Sequence, residues 1–173
     1  MNESGRKYTF DTLEIERKCY LLLTCFFASR EIHEYCAQNA KRNIDFLSVY
    51  EPIVIQDLLI FLAIRLRMID DLMRSHGRKH RLLEHKVGEY YYEKEKRKKP
   101  LLIREACNKI IHAKSIVFDE LQDGLITHLR PHINLSGTQE RKPWVAAINV
   151  KPFVAAALFM AVQYDEDWEV SRL

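Results

Sequence analysis

Apolar residues recur at helical spacing through most of the chain and give way to a two-residue alternation only near its end. The first such stretch takes in Leu13, Ile15, Tyr20 to Leu23, Phe26 and Phe27, then Ile32, Tyr35, Cys36 and Ala40. It leaves Arg30, Glu31, Glu34, Lys41 and Arg42 to solvent. The pattern predicts one long helix, capped by Asp11 or Thr12, bent near Ser29 and ending near Arg42. Leu21 to Phe27 is apolar on nearly every side, which suits a central helix covered by neighbours. Residues 43–52 read as a connection. A second helix is expected from Pro52 to Ser75, with Ile55, Leu58, Leu59, Leu62, Leu66, Ile69 and Met73 inward and Gly77 as its stop. A third covers Leu101 to Ala113, LLIREACNKIIHA, with Pro100 at the first helical position.

Beyond Ala113 the pattern changes. Ser115 to Leu121, SIVFDEL, fits a short strand or a turn of helix, and Gly124 breaks it. His132–Ser136 and Trp144–Val150 read as two strands, joined by a hairpin loop over Gly137 to Lys142. Trp144, Ala146 and Ile148 share a face, and Trp144 is the expected anchor of the hairpin on the helices. Pro152 opens a last helix reaching Tyr164, with Val154, Ala155, Leu158, Phe159 and Val162 as its buried stripe. The expectation is a mainly α fold in a single domain, residues 1–173. Residues 11–113 would form a helical bundle, and residues 114–173 a β-hairpin and a final helix.

A chain of 173 residues can bury a core without covalent staples. Only five Gly and five Pro favour long helices over a turn-rich all-β fold. The net charge of +3 does not by itself demand nucleic acid, so the distribution of charge decides. Cys19, Cys25, Cys36 and Cys107 form no C-x-x-C pair and read as reduced packing residues. The opening MNESGRKYTF is polar and reads as a loose leader without a secretory signal. The longest apolar run, Pro52 to Ala63, is broken by Gln56 and Asp57, so a cytoplasmic protein without a membrane span is expected. His76, His80, His85 and Cys107 lack the paired spacing of structural zinc, and no glycine-rich phosphate loop is present. Neither a metal nor a cofactor is expected.

Two places carry candidate chemistry. Arg104, Asn108 and His112 stand at i, i+4 and i+8 of the third helix and drift about 80° around its axis, so they share a face. The imidazole can exchange a proton near neutral pH, the amide can orient a phosphate or a hydroxyl, and the guanidinium can pair with phosphate. A plain polar stripe, or an Asn–His hydrogen bond that positions a loop, would show the same spacing. Asp70 or Asp71 is a candidate to join this face if the second helix packs against the third. Just upstream, Lys94, Lys96, Arg97, Lys98 and Lys99 follow Tyr90, Tyr91 and Tyr92. Cations beside rings suit a single-stranded RNA path, with charge along the backbone and rings against bases. A solvated loop would have the same composition.

Asn108-x-x-x-His112 resembles the core of the HEPN motif, Arg-Asn-x-x-x-His or more loosely Arg-x4–6-His. Cys107 stands where that motif has its Arg, and Arg104 lies a turn earlier. Arg78 and His85 also satisfy the loose form, without the Asn. The resemblance implies a HEPN-like helical bundle working as a homodimer, with RNA as ligand. It further implies a metal-independent endoribonuclease of a toxin–antitoxin or phage-defence system, with an antitoxin protein as a further partner. His112 would then be the general acid or base, Asn108 the orienting group and Arg104 the stabiliser of phosphorane charge, with Lys109 or Lys114 assisting. The alternative is a non-catalytic HEPN-like interaction or adaptor protein that keeps the Asn–His pair for structure.

Overall fold

The Asp11 carboxylate starts the first helix by accepting the N–H of Glu14 at 3.3 Å. A computed structural model describes residues 11–39, 45–77, 85–95, 97–124 and 126–170. Helix α1 (Thr12–Phe27) turns Ile15, Cys19, Leu22 and Phe26 into the core. The single long helix expected from the pattern is two, because the chain breaks at Ala28 and α2 (Ser29–Asn39) follows. Ser29 gives the reason. Its buried hydroxyl accepts the N–H of Leu129 at 3.1 Å, which pulls the start of α2 onto the sheet. Helix α3 (Asp45–Ser75) begins seven residues before Pro52 and holds that proline inside, where a connection was expected. Its predicted inner face is buried as expected, and Gly77 follows the helix with a φ of +70°.

The remainder corrects the expected fold class. The chain is α+β, not a mainly helical bundle with one hairpin. Strands β1 (Lys86–Tyr92) and β2 (Lys99–Leu102) precede α4 (Ile103–Ile111). Strands β3 (Ala113–Asp123), β4 (Ile126–Gln139) and β5 (Lys142–Asn149) follow it, and α5 (Val150–Val170) comes last. The strands form one sheet in the order β2-β1-β5-β4-β3, with every neighbouring pair antiparallel. The hairpin read from the sequence is therefore the middle of a five-stranded sheet. Pro100 lies in β2, so it does not open the third helix.

One face of the sheet carries Ile133 and Leu135 of β4 and Trp144, Ala146 and Ile148 of β5, all buried. Tyr90 and Tyr92 share that face, opposite Ala146 and Trp144, while Tyr91 falls on the other. Helices α1, α3, α4 and α5 contribute to the same core. Helix α5 buries Phe153, Val154, Ala156, Ala157, Met160, Ala161 and Tyr164; of the predicted stripe Val154 is buried and Leu158 half-buried, while Ala155, Phe159 and Val162 are exposed. No helix among the described residues is long and apolar enough to cross a membrane.

Helix α4 directly joins the two edge strands, β2 and β3. Its nine residues span only about 13 Å, whereas the edges of a flat five-stranded sheet lie about 19 Å apart. On the way α4 packs against α3 and touches β1, β2 and β4. Two close approaches tighten this arrangement. A Cβ on Gly88, beside an irregularity in the β1–β2 ladder, would strike the carbonyl oxygen of Ala147. A Cβ on Gly137 would strike the ring of Trp144 and come within 2.9 Å of the His112 carbonyl oxygen.

Candidate functional site

Helix α4 is amphipathic at a single register. Ile103, Ala106, Cys107 and Ile110 point into the core. Glu105, Asn108, Lys109 and His112, again at i, i+3, i+4 and i+7, line a cleft with Thr138, Gln139 and Trp144. The cleft is open to solvent and has a volume of about 410 Å³. His112 sits at the C-terminal cap of α4, its backbone N–H donating to the Asn108 carbonyl at 3.0 Å while the residue stays exposed. The Asn108 amide donates to the Glu105 carboxylate at 3.3 Å and is half-buried.

Lys109 is only 2% exposed, which is unusual for a lysine. Its ammonium donates to Gln139 Oε1 at 2.9 Å and pairs with Glu105 at 3.2 Å. The same nitrogen lies 4.5 Å from the ring centre of Trp144 and 5.2 and 5.3 Å from those of Tyr90 and Tyr92. Three rings offer their negative faces to one cation, and a carboxylate and an amide complete its coordination. Gln139 Oε1 also accepts from the Tyr92 hydroxyl at 3.2 Å, and burial pushes the pKa of that hydroxyl up.

Arg104 does not join the cleft. Its guanidinium pairs with Asp70 and, at 2.9 Å, with Asp71, and so bolts α4 to the end of α3. Asp70 is 4% exposed and also accepts from Arg74 at 3.2 Å. The second helix does meet the third here, but Asp70 and Asp71 hold Arg104 away from the cleft. Replacing Arg104 by alanine would leave a buried carboxylate with one remaining cation. The expected cost is about 2 kcal/mol of stability, read by urea denaturation, with the structure around Asn108 and His112 unchanged by NMR shifts. Cys107, the position of the motif arginine in the HEPN pattern, faces the core, and burial pushes its thiol up to about 12. Cys107 does not line the cleft.

The basic stretch runs from the end of β1 to the start of β2. Tyr90 and Tyr92 are part of the Lys109 cage, while Tyr91 is half-buried on the opposite face of the sheet. Lys94, Arg97 and Lys98 are exposed; Lys96 lies outside the described residues. Lys98 pairs with Glu89 at 3.5 Å. Lys99 donates to Glu95 at 2.7 Å, which draws the Glu95 carboxyl below its ordinary range, and its ammonium lies 5.3 Å from the Tyr92 ring centre. The N–H of Glu93 donates to the carbonyl of Pro143 at 3.1 Å. The β1–β2 connection and the β4–β5 turn therefore share one end of the sheet, and Arg141 and Lys142 add to its cations. Glu140 and Arg141 form that turn with φ of 50° and 65°.

His85, the loose alternative to His112, stacks on Phe159 with ring centres 5.5 Å apart; its partner Arg78 and also His80 lie outside the described residues. Among the described residues no three His, Cys, Asp or Glu side chains come together as a metal site would need. The sequence singled out Asn108 and His112 but not Glu105, Thr138, Gln139 or Trp144 as cleft residues, and it gave Lys109 only an assisting role. The available signal was the i, i+3, i+4, i+7 set from Glu105 to His112, which marks a face as surely as the i, i+4, i+8 set does. No family model matches the chain, and no curated protein or solved structure matches it.

Proposed function

We propose that the chain binds single-stranded RNA, with one nucleotide seated in the cleft beside Asn108 and His112. The backbone would run over the cations of the β1–β2 connection and the β4–β5 turn. The observation that supports this reading is the cleft of about 410 Å³ under an exposed His112, at the sheet end where Lys94, Arg97, Lys98, Arg141 and Lys142 gather. That volume is within the range that takes a small ligand. Phosphates would be drawn by the cations, and the Asn108 carbonyl oxygen and the Gln139 amide N–H would meet a base edge or a ribose hydroxyl.

Two features favour binding over cutting. Arg104 is committed to Asp70 and Asp71, and Lys109 to Glu105 and Gln139, so neither cation is aimed at a phosphate. Among the described residues His112 is the one imidazole lining the cleft, so it would have to take the proton of a 2′-hydroxyl and return one to the departing 5′-oxygen.

The test is fluorescence anisotropy with a labelled single-stranded oligoribonucleotide in EDTA, followed by a denaturing gel of the same RNA. The wild type is expected to bind and to leave the RNA intact. Lys94→Glu with Arg97→Glu should weaken binding by about tenfold or more and flatten its dependence on salt. His112→Ala should weaken it several-fold without altering that slope. No binding at low salt up to about 100 µM protein would end the proposal. Cleavage by the wild type that His112→Ala abolishes would replace the binding reading with a ribonuclease one.

A further inference from the structure

The polar groups that line the cleft have a fixed polarity, and Lys109 fixes it. An ammonium only donates, so the Gln139 amide must turn its oxygen to Lys109, at 2.9 Å, and that oxygen accepts again from the Tyr92 hydroxyl at 3.2 Å. Both lone pairs of Gln139 Oε1 are thereby used, and the exposed amide has only its N–H groups left to offer. A carboxylate only accepts, so Asn108 turns its amide nitrogen to Glu105 at 3.3 Å and keeps its oxygen for another partner. Lys109 meets one oxygen of Glu105 and Asn108 the other, which leaves about half of the acceptor capacity of that carboxylate open. Among the described residues Glu105 is the one carboxylate lining the cleft. The Lys109 nitrogen stands 3.2 Å from Glu105 and 2.9 Å from Gln139, so the two oxygens it bonds are no farther apart than two hydrogen bonds laid end to end.

We infer that the base this cleft selects is guanine, read by Glu105 and Gln139. The preference rests on the reading that the cleft seats a nucleotide. The Watson–Crick edge of guanine presents two donors side by side, N1–H and the N2 amine, and then an acceptor, O6. The Glu105 carboxylate receives the two donors, the Gln139 N–H meets O6, and the Asn108 oxygen is a further acceptor for the N2 amine. None of the other three bases has two adjacent donors on that edge. Adenine and cytosine each bring one donor and one acceptor, enough for the Gln139 N–H and one carboxylate oxygen, and leave the second oxygen unmatched. Uracil satisfies Gln139 and one oxygen but sets its O2 against the other. A polar group left facing no partner, or facing its like, is what makes such a site reject the wrong base. Lys109 offsets the charge of Glu105, so the carboxylate does not repel the phosphates that the exposed cations draw. The same edge is carried by a guanosine within RNA and by a free guanine nucleotide.

The test compares labelled uridine tracts carrying one central guanosine, inosine, adenosine or cytidine with the plain tract, by anisotropy on the full chain. Guanosine and uridine monophosphates are titrated separately by calorimetry. The guanosine tract is expected to bind about tenfold tighter than the plain, adenosine or cytidine tract. Inosine keeps N1–H and O6 but lacks the N2 amine, so its tract should fall between. Glu105→Gln, which puts a donor where an acceptor stood, should bring the guanosine and plain tracts within about twofold of each other. The inosine comparison needs no variant and stands even if Glu105→Gln does not fold. Equal binding of all five tracts overturns the guanine inference and leaves RNA binding intact. Inosine as tight as guanosine also overturns it, because the second donor then goes unread. Calorimetric binding of guanosine but not uridine monophosphate, with no RNA bound, would end the RNA reading and uphold guanine selection from a free nucleotide. No binding of any of these ligands ends both.

Discussion

Replacing Lys109 by alanine is expected to lower the free energy of unfolding by about 3 kcal/mol, a large effect for one lysine. Its four methylenes fill space among Trp144, Tyr90 and Tyr92, and alanine would leave that space empty. The cation also interacts with three rings, each worth about 0.5–2 kcal/mol when desolvated, and neutralises Glu105. Without it Glu105 keeps one weak partner, the Asn108 amide at 3.3 Å. Glu105 is one-third exposed, so water softens that part of the loss. Methionine retains the length and packs well on rings, so Lys109→Met should cost less than half as much. Urea denaturation of the two variants beside the wild type separates the contributions. Equal losses would show that charge dominates, and a negligible loss for both would mean that the cage does not hold in solution.

Gly137→Ala is the second large effect, also expected at about 3 kcal/mol. Trp144 lies on the bare backbone of Gly137, its neighbour across the β4–β5 ladder. The indole is 1% exposed and faces the Lys109 ammonium 4.5 Å from its ring centre, so it has no free direction in which to withdraw. The added methyl would also come within 2.9 Å of the His112 carbonyl oxygen at the end of α4. The substitution should therefore perturb the cleft as well as the core. The expected readout is a lower midpoint in urea together with altered tryptophan fluorescence. Unchanged values of both would mean that the indole has room to move.

The helical face of α3 was legible because Ile55 to Met73 keeps one period for five turns, and all seven residues are buried. The site was legible in part for the same reason: Asn108 and His112 do line one cleft. Three kinds of feature were hidden. In β1 the alternation is masked because tyrosine occupies three successive positions, so both faces look alike and the run reads as a loop. In α5, apolar residues surround the helix, and periodicity cannot tell the buried Met160 and Ala161 from the exposed Phe159 and Val162. The β4–β5 turn falls on Glu140 and Arg141, which have no preference for positive φ, and not on the nearby glycine. Gly137 is needed for room, not for turning. The partners of Arg104 and Lys109 come from α3 and from the sheet, and their choice of side depends on how α4 is seated. Local spacing carries no record of that.

The position of α4 bears on how the molecule assembles. Its two ends continue directly into the outermost strands, so neither edge of the sheet can reach its final place until the nine residues between them are wound and seated. Closing the architecture thus depends on partners distant in sequence, such as β1 with β5, and such long-range closure slows folding. Loosening of the helix would release both margins of the sheet at once, which makes the cleft and the two edges a single cooperative unit.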